Sequence, residues 1–247
     1  MRLLLDIGNT HTRAALTSNN KLTKTKLFET KEWLNSKPAK TINQLLSNKH
    51  IDATLCASVV PSATIKLKKL SNLKGIKTHL LTHKNCGLRI KYPRPKTIGP
   101  DRLANAIGAL DEFSPPLIVV DFGTALTFDV VDKKGIYVGG VICPGLSVMT
   151  EYLHEKTALL PKVKIKDTPQ FIGKSTIQAM QIGAVHGYRG LISNIVTGLK
   201  KTLHARKINV IATGGCAEII SANLPQISAT RPLLTLEGLR LASERIN

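Results

Sequence analysis

Asp6 closes a short apolar run, Leu3-Leu4-Leu5, and is followed by Ile7, Gly8, Asn9 and Thr10. A strand that stops on a carboxylate and then turns through glycine sets the acid beside exposed backbone N–H groups, an arrangement suited to a metal-bound polyphosphate. Taken once, the pattern is equally that of an ordinary turn. It occurs twice, because Ile118-Val119-Val120 leads into Asp121, Phe122, Gly123, Thr124 and Ala125 in the same form. Two such loops in corresponding places of a duplicated chain can close on one nucleotide from both sides and position its transferable phosphate.

Two further segments carry chemistry. Gly99-Pro100-Asp101-Arg102 puts an acid and a base side by side at the start of an amphipathic stretch. Asp101 can be a first-turn acid favoured by the helix dipole, or the carboxylate that takes a proton from an alcohol while a cation stands near the developing charge. Asn209 to Ala212 is an apolar strand running into Thr213-Gly214-Gly215 and a helix at Cys216-Ala217-Glu218. Backbone without side chains can approach a flat ring there, or the turn simply needs glycine.

The elements that must hold these residues follow from patterning. After each Asp-x-Gly copy, alternation continues over Thr12 to Leu16 and over Leu126 to Asp132, with turn residues at Asn19-Asn20 and Lys133-Lys134-Gly135 before the next extended segments, Lys24 to Glu29 and Ile136 to Val141. Each half therefore opens with a β-meander. Leu103, Ala106, Ile107 and Leu110 form one face of a helix that begins near Pro100, a residue suited to a first turn. A long helix is expected from Thr176 to Thr202 on the stripe Leu191, Ile192, Ile195, Val196 and Leu199, weakened locally by Gly187, Gly190 and Gly198. Pro115-Pro116 marks the junction, so the expected domains are 1–114 and 115–247.

With 247 residues, 43% of them apolar and 21% charged, the chain has the composition of a globular protein. The apolar run at the N-terminus stops at Leu5, and Asp121 and Asp129 break the most apolar later stretch, Leu117 to Val131, so no secretory segment or membrane span is expected and the location is read as cytoplasmic. Cys56, Cys86, Cys143 and Cys216 make no C-x-x-C pair, which speaks against a zinc site or a disulfide framework. The net charge of +19 would suit a polyanionic partner, yet the lysines are spread over many segments and aromatics are only 4%, so a basic solvated surface is the reading and nucleic acid is not expected.

Several features are decoys. Gly173-Lys174-Ser175-Thr176 resembles the end of a P-loop, but Thr168 stands where the first glycine is needed, and capping of the following helix by Ser175 or Thr176 accounts for it. His79 and His83 have i, i+4 spacing without the glutamate of a zinc protease, in a segment that reads as extended, so metal binding is not expected there. His11 lies within the first loop, facing nucleotide or solvent, and Trp33 is read as an anchor between a helix and its core.

Together these residues resemble the type III pantothenate kinase family of the acetate and sugar kinase, Hsp70 and actin superfamily. The resemblance is carried by Asp6-Ile7-Gly8-Asn9-Thr10, Tyr92 to Pro95, Gly99 to Ala106, Asp121 to Asp129, Gly139 to Leu146 and Thr213-Gly214-Gly215. It implies an α/β fold of two duplicated ribonuclease H-like, actin-like ATPase domains, each a mixed five-stranded sheet flanked by helices. It implies ATP-dependent phosphorylation of pantothenate to 4′-phosphopantothenate, the first step of coenzyme A synthesis. By the same resemblance Asp101 would accept the hydroxyl proton. Asp6, Ile7, Gly8, Asn9, Thr10, His11, Thr12, Arg13 and Thr124 would hold ATP, with Asp6 acting through Mg2+, and Asp121 would bind a monovalent cation, K+ or NH4+. Tyr92, Gly99, Pro100, Asp101, Arg102 and Thr176 would line the pantothenate site, Thr176 coming across a homodimer interface near the active site.

The chain departs from the family pattern at three places. Arg13 stands where lysine is usual, Pro100 where a small residue is usual and Arg94 where asparagine is usual. The first two keep the expected roles, since arginine remains a phosphate-directed cation and proline fits a first helical position. A different class of protein also fits the fold: a catalytically idle regulatory or nucleic-acid-binding relative that uses the basic surface. Retention of all three acids speaks for the enzyme.

Overall fold

The computed structural model describes residues 1–35, 37–46 and 49–245. They divide into two compact units, Met1–Glu112 with Leu233–Asn247, and Phe113–Pro232. In chain order the first unit contains β1 (Arg2–Ile7), β2 (His11–Ser18), β3 (Lys21–Glu29), a 3-10 turn (Thr30–Leu34), α1 (Lys37–Leu46), β4 (Ala53–Ser58), α2 (Pro61–Leu73), β5 (Lys77–Leu80), the two-residue β6 (Arg89–Ile90), a short 3-10 turn (Pro95–Thr97) and α3 (Pro100–Glu112). The second contains β7 (Leu117–Phe122), β8 (Ala125–Val131), β9 (Ile136–Pro144), α4 (Leu146–Lys156), α5 (Thr176–Thr202), β10 (Asn209–Gly214), α6 (Ala217–Ser221) and β11 (Ala229–Thr230), after which α7 (Leu234–Ser243) returns to the first unit.

The duplication expected from the two Asp-x-Gly copies is visible in the topology. The first unit's sheet runs β3-β2-β1-β4-β5, and the second unit's strands run in the matching order β9-β8-β7-β10-β11. In each, the first three strands form an antiparallel meander and the last two run parallel to the first. The meander turns are made by the expected residues, with Asn19, Asn20 and Gly135 at positive φ, the conformation such short turns require.

Burial explains the apolar strings. Leu3, Leu4 and Leu5 of β1, and Leu117 to Val120 of β7, are all buried, as central strands covered on both faces should be. The long α5 places Val185, Tyr188, Ile192 and Val196 against the second core, while Leu191, Ile195 and Leu199 pack partly buried at its margin. Lys21, Lys24 and Lys26 are exposed along β3, an edge strand. Charge there discourages pairing with another sheet, which gives part of the +19 a structural use.

The domain boundaries differ from the expected 1–114 and 115–247. The division falls between Glu112 and Phe113, and the final segment joins the first unit. The physical reason is a backbone-to-backbone helix crossing. A Cβ on Gly108 of α3 would stand 2.6 Å from the Leu234 carbonyl oxygen, and one on Gly238 of α7 would collide with the Ala104 carbonyl. Thr235 also donates to buried Asn105 (Oγ1 to Oδ1, 2.7 Å). Such contacts are invisible to a reading that divides a chain at its prolines.

Candidate active site

The first Asp-x-Gly loop lies between β1 and β2. Asp6 stands opposite Arg13 across the antiparallel ladder, and Ile7 opposite Thr12, so an acid and a base are set side by side at the strand end. Gly8 closes the loop by donating its N–H to the His11 carbonyl at 3.0 Å. Thr30 ties the same loop from beneath: its N–H donates to the Thr10 carbonyl (2.8 Å) and its hydroxyl to the Gly8 carbonyl (2.6 Å). Thr12 Oγ1 lies 3.0 Å from Thr30 Oγ1 and accepts the Trp33 indole N–H at 3.0 Å. All three of these side chains are buried.

Ile7 and Thr12, expected among the ATP contacts, have side chains that are 1% exposed or less, which leaves their backbone to meet a phosphate. They brace the loop. Asn9, Thr10 and His11 are exposed, and Asp6, Gly8 and Arg13 are half-buried. Trp33, expected to anchor a helix against its core, lies in the 3-10 turn buried within that core and also serves the loop through Thr12. A lone tryptophan some twenty residues downstream carried no pattern that would have disclosed this.

The second loop is built alike. The Phe122 carbonyl accepts the Gly215 N–H at 3.1 Å, as the Ile7 carbonyl accepts the Val59 N–H at 3.1 Å in the first unit. The Thr124 carbonyl accepts the Gly145 N–H at 3.0 Å. Gly214 has φ +95° and lies so close that a Cβ there would be 2.7 Å from Asp121 Oδ1 and from the Phe122 backbone. A Cβ on Gly145 would collide with the carbonyl oxygens of Gly123 and Thr124. Of the two readings of the Gly214-Gly215 pair, the turn's own need for glycine is met at Gly214. Thr124 is exposed and Asp121 half-buried.

The acid–base pair sits in the first turn of α3. The Gly99 carbonyl accepts the Leu103 N–H at 3.2 Å, which makes Gly99 the helix-entry residue and Pro100 the first helical one. Asp101 Oδ1 accepts the Arg102 backbone N–H at 2.9 Å and folds over Gly99 where a Cβ would otherwise lie. Burial pushes the Asp101 carboxyl above its ordinary value, against the lowering effects of the Arg102 N–H and the Arg102 charge. A carboxylate with raised proton affinity is the better proton acceptor near neutral pH. Tyr92 is 40% exposed, in the stretch between β6 and α3.

Thr176 is the first residue of α5 and exposed, and Ser175, not Thr176, caps that helix by accepting the Gln178 N–H at 3.2 Å. The preceding segment is no P-loop, since no strand leads into it. It is fastened to α5 instead, through paired bonds of 2.9 Å from Arg189 to Asp167 and a contact of 2.9 Å between His186 Nε2 and the Thr168 carbonyl. His79 lies in β5 and His83 in the following turn, and the described residues contain no cluster of three or more His, Cys, Asp or Glu side chains that could hold a metal. Asp6 and Asp101 thus belong to the first unit, and Asp121, Thr124 and Thr176 to the second.

A family model described as type III pantothenate kinase matches residues 2–198. The chain belongs to the type III pantothenate kinase family. It is 40% identical over 245 residues to a type III pantothenate kinase of Methylacidiphilum infernorum, covering 98% of this chain and 88% of the relative. It is 41% identical over 243 residues to that of Akkermansia muciniphila, covering 98% and 97%. Among solved structures the fold is similar to that of a candidate 2-dehydro-3-deoxygalactonokinase from Sinorhizobium meliloti (TM-score 0.63, 9% identity, 100% and 97% covered). It is also similar to the activator of 2-hydroxyisocaproyl-CoA dehydratase from Clostridium difficile with bound ADPNP (TM-score 0.56, 12% identity, 99% and 95% covered). A member of the type III pantothenate kinase family is a kinase, and the duplicated sheets of this one are those of the actin-like ATPase and sugar kinase fold.

Proposed function

We propose that this chain transfers the γ-phosphoryl group of ATP to the primary hydroxyl of pantothenate, giving 4′-phosphopantothenate and ADP at the entry to coenzyme A synthesis. The observation that carries the reading is Asp101: a carboxyl of raised proton affinity in the first turn of α3, with a cation, Arg102, next to it. The hydroxyl oxygen forms the new bond to the γ-phosphorus, the bond from phosphorus to the ADP oxygen breaks in line with it, and Asp101 receives the hydroxyl proton. Arg102 meets the acceptor's carboxylate. Positioning and charge neutralisation supply most of the acceleration, because phosphoryl transfer asks little covalent chemistry of the protein.

The loop from Asp6 to Arg13 serves the ATP phosphates through Gly8, Asn9, Thr10, His11 and Arg13, and Thr124 adds a contact from the second loop. Asp6, a hard oxygen donor at the end of β1, fits a role toward Mg2+, and Asp121 with the carbonyls of its crowded loop offers an oxygen donor set fit for K+ or NH4+. When bound, these cations neutralise the phosphate charge. Tyr92, Gly99 and Pro100 line the acceptor side. Phe171, Ile172 and Ile177 stand exposed beside Thr176, which supports a homodimer in which Thr176 serves the partner's site. A cytoplasmic location accords with the helices described, none of which is long and apolar enough to cross a membrane.

The test is direct. Purified protein incubated with ATP, Mg2+, K+ and pantothenate should yield a product heavier by one phosphoryl group, and in an ADP-release assay over a panel of hydroxy acids pantothenate should stand alone. Equal turnover of another alcohol, or none of any, rejects the proposal.

A further inference from the structure

The stretch from Gly87 to Arg102 carries every acceptor-side residue of the first unit, and contacts of α7 and of Arg245, just past it, flank the two ends. At the α3 end, Gly238 and Thr235 hold Ala104 and Asn105, one turn beyond Asp101. The contacts run in opposite directions along the two helices, Leu234 at Gly108 and Gly238 at Ala104, so α7 is antiparallel to α3 and its C-terminal end points toward the turn that bears Asp101. At the other end, Arg245, two residues past α7, donates from Nη1 to the Cys86 carbonyl at 3.3 Å. Its guanidinium occupies the space where a Cβ on Gly87 would be, and Gly87 has φ +73°. Cys86 itself is fully buried, so the carbonyl that Arg245 holds belongs to a fixed point from which the next twelve residues depart.

We propose that Arg245 is a positioning residue for the acceptor-binding stretch: it clamps the root at Cys86-Gly87 while the glycine crossing clamps the far end, so that α7 sets the span on which Tyr92 is presented relative to Asp101. The proposal rests on the reading of Tyr92 as an acceptor contact. It assigns a role to a tail that lies beyond residues 2–198, the part matched by the family model. Arg245 is itself exposed, so its removal should leave the fold standing while freeing the root.

The experiment compares wild type with Arg245→Ala, Arg245→Lys and Gly87→Ala. In ligand-free protein, amide hydrogen exchange over 86–99 should quicken about fivefold in Arg245→Ala, the worth of one hydrogen bond, with exchange over 103–112 unchanged. KM for pantothenate should rise by a similar factor with KM for ATP unmoved, and Arg245→Lys should restore part of both. Gly87→Ala, which drives a methyl into the guanidinium at a left-handed backbone position, should reproduce the Arg245→Ala pattern. Unchanged exchange over 86–99, or an equal rise throughout the first unit, overturns the proposal. If wild type fails to phosphorylate pantothenate, the functional reading falls, and the exchange arm still decides whether Arg245 clamps the stretch.

Discussion

A Cβ on Gly238 would strike the carbonyl oxygen of Ala104, so at that point α7 and α3 meet backbone to backbone. Neither helix can withdraw without breaking the Thr235–Asn105 hydrogen bond inside the same contact. Gly238→Ala should therefore destabilise by about 1–3 kcal/mol, the usual cost of overpacking. For a chain of this size that lowers Tm by roughly 3–10 °C, read by thermal melting. A Tm within about 1 °C of wild type would mean that the helices slide apart freely.

Asp101→Asn should lower kcat by about 10²–10⁴-fold, the range for a lost general base, while a nucleotide titration returns wild-type ATP affinity. Turnover equal to wild type would remove Asp101 from the mechanism.

The same residue has a stability signature of opposite sign. Because burial raises the folded-state value of Asp101, the folded protein binds more protons than the unfolded chain between the ordinary carboxylate value and the raised one, and stability falls as pH rises through that window. Above it, a buried charge persists that asparagine lacks. Asp101→Asn should thus melt no lower than wild type at neutral pH and should lose the part of the pH dependence that lies in that window. A lower Tm for the variant at neutral pH would show that the carboxylate is stabilising where it stands.

Much of this was legible in the chain. The paired strings Leu3 to Gly8 and Ile118 to Gly123 disclose the duplication because a strand, an acid and a glycine recur in the same order, and the helix starting at Pro100 and the one over Thr176 to Thr202 follow from their stripes and caps. What stayed hidden depends on contacts between distant residues. Thr30 and Trp33 touch the first loop only because β3 returns alongside β2, and α7 joins the first unit only because Gly108 and Gly238 let two backbones meet. The burial of the Thr12 side chain was hidden because residues within one loop motif alternate between faces, and only the ladder shows which face is the core.

Thr30 gives the fourth test. Its hydroxyl donates to the Gly8 carbonyl and stands beside Thr12, yet it lies on the inner side of the loop. Thr30→Val keeps the shape and removes those bonds, so KM for ATP should rise about five- to tenfold with KM for pantothenate constant. A matched rise in both would recast Thr30 as a general support of the fold.

Gly145 tests the second loop and the cation together. A methyl there would collide with the Gly123 and Thr124 carbonyl oxygens, and the Gly145 N–H already holds the latter, so Gly145→Ala has to push the loop outward. Thr124 is one of the displaced residues, and Asp121 lies two positions before the other. If Asp121 binds the monovalent cation and Thr124 a phosphate, the potassium titration of the rate should move to about tenfold higher concentration and KM for ATP should climb with it, as expected when about 1.4 kcal/mol of overpacking strain is relieved only in the empty loop. Thr30→Val, in the other unit, should raise KM for ATP without moving the potassium curve, which separates cation binding from phosphate binding. A potassium curve in Gly145→Ala that overlays wild type would take the cation away from Asp121.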